Sequence, residues 1–190
     1  MDNKQVVVAY DFSETADLAL ERAVELACRA RHHILHFVTA IDPHRGLGLE
    51  PNEVVDYHYA ERIQDLLTER LKNIFTARAP TTEVHFFVHA RIGNAVDEIL
   101  GLAEDVGADL VVIGSHGRTG LRRILLGSVS EAVVRNARCA VIIARAKEYK
   151  DVELEKVIDV PGDHARKARP HRYSYSENRV MSRPRDWPLN

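Results

Sequence analysis

The chain holds only two cysteines and one tryptophan in its 190 residues. Cys28 and Cys139 lie far apart and outside any C-x-x-C spacing, so neither a disulfide framework nor a zinc ribbon is indicated, and both are expected to be buried thiols acting as small hydrophobes. No apolar run approaches the ~20 residues that span a bilayer. The opening MDNKQVVVAYD lacks both the basic flank and the apolar stretch of a secretory leader, so a cytoplasmic protein without membrane insertion is expected. Also missing are the P-loop pattern G-x4-G-K-S/T and a G-x-G-x-x-G after the first strand, which excludes the first nucleotide motif and weakens the usual dinucleotide reading. No Ser-His-Asp arrangement or Cys-His pair can be assembled from spacing, so catalytic residues are not expected. Ten histidines invite a metal reading. However, His32 and His36 border a strand and share no helical face, and His85 and His89 have no third ligand, so no zinc or iron site is expected.

What is present is an ordinary globular composition, 45% apolar and 28% charged, enough for one well-filled core plus an extension. The net charge of -2 hides an asymmetry, because residues 161–190 carry seven Arg or Lys against three acids. A basic tail therefore follows an acidic body, the pattern of an interaction segment or of a solvated one.

Short apolar runs alternate with helical periodicity along the chain. QVVVAY (5–10), ILHFVTA (34–40), EVHFFV (83–88), DLVVI (109–113) and AVIIA (140–144) read as strands covered on both faces. Between the first two, Ser13 is placed as N-cap and Ala16, Ala19, Leu20, Ala23, Val24 and Ala27 recur at helical spacing, predicting a helix to about Arg31. Residues 41–51 form a loop. Ile63, Leu66, Leu67, Leu71, Ile74 and Phe75 mark a long helix ending before Pro80, Asn94 caps another stopped by Gly107, and a last one follows Gly127. Strand-helix alternation of this kind predicts an α/β fold, an open five-stranded parallel sheet with helices on both faces.

Ligands of open parallel sheets bind beyond the carboxyl ends of the strands. The segment after the fourth strand is the most informative, running from Gly114 through Ser115, His116, Gly117 and Arg118 to Gly127 and Ser128. Its glycines let backbone approach a ligand, and the helix beginning at Ser128 presents unpaired N–H groups and a positive dipole end suited to phosphate. Ser128 and Ser130 offer hydroxyls, and Arg118, Arg122 or Arg123 could add charge.

Gly114-x2-Gly117-x9-Gly127-Ser128 resembles the signature of the nucleotide-binding branch of the universal stress proteins, and Val6 to Ser13 and Leu35 to Val38 are similar to that family too. The resemblance covers roughly residues 4–146. It implies a Rossmann-like sheet of the adenine nucleotide alpha hydrolase type, ordered 3-2-1-4-5, and ATP, with Mg2+ on its phosphates, between strands 1 and 4. The resemblance places Ala9 and Val38 against the base, with Tyr10 beside them, and Asp11 at the ribose or adenine edge. Gly114, Gly117 and Arg118 would shape the pocket and approach the ribose and phosphates, and Gly127, Ser128, Val129 and Ser130 would hold the phosphates; His116, within the motif loop, is a further candidate to touch phosphate. Ala9 departs from the proline that relatives often carry there. The resemblance also implies a homodimer through the edge strand Ala140, Val141, Ile142, Ile143 and Ala144.

The expected organisation is a domain over 1–146 and an extension over 147–190, basic from 161. The extension cannot build a core alone, so it is either disordered or laid on a surface: the body, the dimer mate or a protein partner. Nucleic acid is the weaker partner, because the body is acidic. The expected function is an ATP-binding regulatory module of the stress response. Two alternatives stand beside it: an assembly or adaptor protein contacting its partner through the extension, with nucleotide structural, and a slow ATPase on the same fold.

Overall fold

Val6, Val7 and Val8 are almost wholly buried although they are consecutive, because helices cover both faces of the strand they form. The computed structural model describes residues 3–29, 32–48, 54–78, 83–118, 126–146, 172–176 and 179–183. The chain divides into two units, Met1–Ala146 and Lys147–Asn190.

In the first unit the order is β1 (Lys4–Ala9), α1 (Glu14–Arg29), β2 (His33–Ile41), α2 (Tyr57–Arg78), β3 (His85–Ile92), α3 (Ala95–Asp105), β4 (Leu110–Gly114), α4 (Ser128–Asn136) and β5 (Ala140–Ala144). The five strands form one parallel sheet ordered β3-β2-β1-β4-β5, as the fold class predicts. The chain winds from β1 to one side through β2 and β3 and then to the other through β4 and β5, and this change of winding opens the crevice of a doubly wound sheet at the ends of β1 and β4.

The two faces have separate cores. Val6, Val8 and Tyr10 of the first strand and its turn pack with Leu20, Phe37, Leu67 and Leu71 under α1 and α2. Val7 and Ala9 pack on the opposite face with Val38, Ile99, Leu102 and Val133 under α3 and α4. A third cluster of Ile41, Leu47, Tyr59, Ala60 and Ile63 fastens the chain after β2, where the Tyr59 hydroxyl accepts the Leu47 N–H at 2.9 Å.

Several expectations need correction. The third strand does not stop at Val88: it continues to Ile92, with Val38, Thr39, Ala40 and Ile41 of β2 pairing His89, Ala90, Arg91 and Ile92. Its polar residues obscured the pattern, since His89 and Arg91 alternate with Ala90 and Ile92 across the two faces. The first helix ends at Arg29, and residues 30–31 lie outside the described ones. Cys28 and Cys139 are half-buried instead of buried; burial still pushes the Cys139 thiol above its usual range.

In the second unit, Arg172–Ser176 (β6) and Arg179–Arg183 (β7) pair as an antiparallel hairpin, so this stretch of the extension is not the featureless chain its composition suggested. Residues 147–171 of the extension fall outside the described residues, as do Arg122 and Arg123.

Candidate functional site

β1 delivers the first side of the site through a strained turn. Phe12 has φ 66, the left-handed region that a bulky residue rarely enters. The turn is held from both sides: Ser13 N–H donates to Asp11 Oδ1 at 3.1 Å, and the Arg118 N–H donates to Asp11 Oδ2 at 3.2 Å. Asp11 therefore ties the end of β1 to the segment after β4 while keeping lone pairs for a further donor. Behind it, the buried Thr39 hydroxyl donates to the Tyr10 carbonyl at 2.9 Å, fixing the strand end.

α1 and α4 begin on opposite flanks of this crevice with different needs. At α1 the Ser13 Oγ accepts the Ala16 N–H at 3.2 Å, so that terminus carries its own cap. At α4 the N-cap is Gly127, which has no side chain to offer. The first intrahelical bond there is Glu131 N–H to the Gly127 carbonyl at 2.9 Å, leaving the N–H groups of Ser128, Val129 and Ser130 ahead of the ladder. Their positive end of the helix dipole favours an anion.

The segment between β4 and α4 is held in place by short links. The Thr15 hydroxyl donates to the His116 carbonyl, and the Gly127 N–H donates to the Ser115 carbonyl at 2.8 Å. Ser130 Oγ lies 3.0 Å from the Ser115 carbonyl and 2.9 Å from that of Gly127. Ser115 Oγ and His116 Nδ1 are 3.0 Å apart.

These elements line a cavity of about 700 Å³, counting the part open to solvent. Of the residues singled out from sequence, Ala9, Tyr10, Asp11, Val38, Gly114, His116, Gly117, Gly127, Ser128, Val129 and Ser130 all line it. Arg118 does not; it lines an adjoining cleft with Phe12, Ser13, Glu14 and Thr15, and reaches the site through its main-chain bond to Asp11.

Two of the lining residues have side chains engaged elsewhere. Tyr10 points its ring into the α1 and α2 core, where its hydroxyl donates to Asp17 Oδ1 at 2.6 Å, so its main chain is what faces the cavity. Burial and then the Asp17 carboxylate raise that hydroxyl's pKa far above the ordinary tyrosine value. Ser130 is buried with its hydroxyl spent on fastening α4 to the end of β4, which leaves its N–H for a ligand.

Sequence reasoning missed the far wall. Ala40, Ala95, Ile99, Ala16 and Ile113 also line the cavity. The small residues Ala9, Ala40 and Ala95 with Val38, Ile99 and Ile113 make an apolar slot, open at one end to the N-terminus of α4. Ile99 was visible as the apolar face of a helix, but nothing local says that α3 starts its first turn over β2.

The chain and its fold have counterparts among known proteins. The sequence model of the universal stress protein family matches residues 2–145. A universal stress protein of Methanocaldococcus jannaschii is 30% identical over 155 residues, spanning 76% of this chain and 96% of that one. Among solved structures, a universal stress protein in complex with cAMP superposes with a TM-score of 0.54 at 26% identity, over 76% of this chain and 98% of that one. The universal stress protein from Archaeoglobus fulgidus in complex with dAMP gives 0.50 at 26% identity, over 76% and 100%.

Proposed function

The chain belongs to the universal stress protein family, and on that premise we propose that its cavity binds an adenine nucleotide, ATP in the first instance, and that occupancy regulates what the protein contacts. The observation that carries this reading is the union in one cavity of an apolar slot, a carboxylate and an uncapped helix N-terminus. A flat apolar base suits the alanine-lined slot, a ribose hydroxyl suits Asp11, and phosphate suits the N–H groups of Ser128, Val129 and Ser130. Two family members solved with cAMP and dAMP support adenine as the base. Mg2+ would ride on the phosphates and neutralise part of their charge.

Regulation requires that the ligand bind two states of the protein unequally. Asp11 supplies the link, since a ribose hydroxyl on its remaining lone pairs shares the carboxylate that accepts the Arg118 N–H and so acts on the segment after β4. ATP should raise the melting temperature in a concentration-dependent way, and Asp11→Ala should abolish most of that rise. Single-turnover assays with radiolabelled ATP separate a binding module, which returns the nucleotide intact, from a slow ATPase.

A homodimer through Ala140, Val141, Ile142, Ile143 and Ala144 is part of the proposal, supported by the place of β5 at the sheet edge, where unpaired N–H and C=O groups invite a second strand. The β6 and β7 hairpin favours the adaptor reading as a second one, because a two-stranded hairpin is marginal alone and gains from a partner surface. If that reading holds, deleting residues 161–190 removes partner binding and leaves ATP affinity unchanged.

A further inference from the structure

The face of the sheet that carries the cavity also carries a group of side chains with no part in it. On β2 and β3, His36 Nδ1 and His89 Nε2 stand 3.2 Å apart, and His36 Nε2 lies 2.8 Å from Gln5 Oε1 on β1. The Gln5 carbonyl accepts from His36 Nε2, so Nδ1 is bare and His89 Nε2 must donate to it. The chain Gln5, His36, His89 thus crosses three strands with one proton in each link. Phe87 stacks on His36 with ring centroids 5.0 Å apart and is itself 55% exposed, because α3 covers β1 and β2 and leaves this part of β3 open.

The pair adjoins the cavity. Residues paired in a parallel sheet share a face, and His89 pairs with Val38, which pairs with Ala9. Val38 and Ala9 line the slot. Two residues beyond His89, Arg91 holds α3 through Asp105 at 2.7 Å and Glu98 at 3.9 Å, and α3 supplies Ala95 and Ile99 to the opposite wall.

We propose that the His36–His89 pair is a proton-binding site coupled to the cavity, and that protonating both rings parts them, loosens β3 and α3, and weakens nucleotide binding at acid pH. The coupling rests on the nucleotide reading above; the proton site does not.

A first proton is shared between the rings as an N–H···N bond, the tautomers adjusting to keep one donor and one acceptor, but a second leaves two imidazolium N–H groups facing each other with no acceptor between them. Among the described residues, no carboxylate is bonded to either ring to compensate. From β1 the pair meets the neutral Gln5; from β3 it meets the Arg91 cation and, farther along, His85 beside Glu83; from α3 come Glu98 and Asp105, both engaged with Arg91. Burial lowers the pKa of both imidazoles, and for His89 the neighbouring His36 and Arg91 lower it further. The folded chain therefore takes up protons after the unfolded one. Stability that is full above the ordinary value of 6.5 is lost as pH falls below it.

The test is calorimetric titration of the full chain with ATP at pH 7.5 and 5.5, for wild type and His89→Gln, with NMR titration of the imidazoles in the presence and absence of ATP. Glutamine keeps a donor for neutral His36, can turn its amide oxygen to accept from a protonated one, and cannot take the second proton, while His116 in the cavity stays in place in both proteins. Wild-type affinity should fall about fivefold more than that of the variant between the two pH values, a coupling at the low end of those measured. By reciprocity, saturating ATP should push the imidazole pKa values of His36 and His89 further down. That shift is read on wild type and decides the matter if His89→Gln does not fold. Equal pH slopes in the two proteins, or imidazoles that ignore ATP, overturn the proposal. Absence of ATP binding at pH 7.5 overturns the nucleotide reading and the coupling with it, whereas two imidazoles titrating at their ordinary value overturn the proton site by itself.

Discussion

A methyl group added at Gly114 would sit 2.7 Å and 2.8 Å from the main-chain carbon and oxygen of Thr15, so glycine there is demanded by the packing of β4 against the first turn of α1. At Gly117 the added atom would meet the Asp11 carboxylate at 2.9 Å, and at Gly127 its nearest neighbours would be an ordinary 3.4 Å away. Three glycines of one motif thus answer to three different needs: helix packing, room beside a carboxylate, and a helix start kept clear for a ligand. Gly114→Ala is expected to cost about 1–3 kcal/mol in urea unfolding through overpacking, while Gly127→Ala costs under about 1 kcal/mol. A stability loss at Gly127 equal to that at Gly114 would contradict this division. The motif spacing was legible in the sequence because backbone needs leave glycines behind. The far wall was not, because Ala40 and Ala95 act by being small and carry no chemical mark.

Between elements, the strand ends are fixed by polar contacts that apolar periodicity does not reveal. Asp109, just before β4, accepts from Lys4 Nζ at 2.7 Å and from the Gln5 N–H at 2.9 Å, joining the starts of β1 and β4. The Lys4 ammonium and then the Gln5 N–H hold its carboxyl below the usual aspartate range. A carboxyl with a depressed folded pKa contributes stability above its unfolded value and loses it as pH falls through the folded one. Asp109→Asn should therefore flatten the acid limb of the stability curve below about pH 4 and leave the loss that sets in below 6.5, which the proposal assigns to His36 and His89. An unchanged acid limb would remove Asp109 from the account. The five strands and four helices of the first unit were readable from alternation of apolar runs and helical spacing. The second half of β3 was not, because His89 and Arg91 break the apolar run for reasons that appear only when β2 is beside them.

For the whole molecule, the sheet order puts β3 and β5 at the two edges. β3 carries His85, Arg91 and an exposed Phe87, whereas β5 is short and apolar, so β5 is the edge expected to pair with a second copy. Sedimentation velocity at micromolar concentration should return twice the mass of the chain, and a single-chain mass at every concentration would refute the edge dimer. The extension was the least legible part. Its composition of arginine, proline and tyrosine argues against a core, and the pairing of β6 with β7 is a hairpin that apolar patterning does not announce. The central claim remains the cavity between β1 and β4, and mass analysis of the small molecules released on denaturing the purified protein tests it most directly, with Gly117→Val run alongside. The account predicts an adenine nucleotide from wild type and none from the variant, whose added side chain crowds the Asp11 carboxylate. A wild-type protein that releases none, and that shows no ATP-dependent rise in melting temperature, would contradict it.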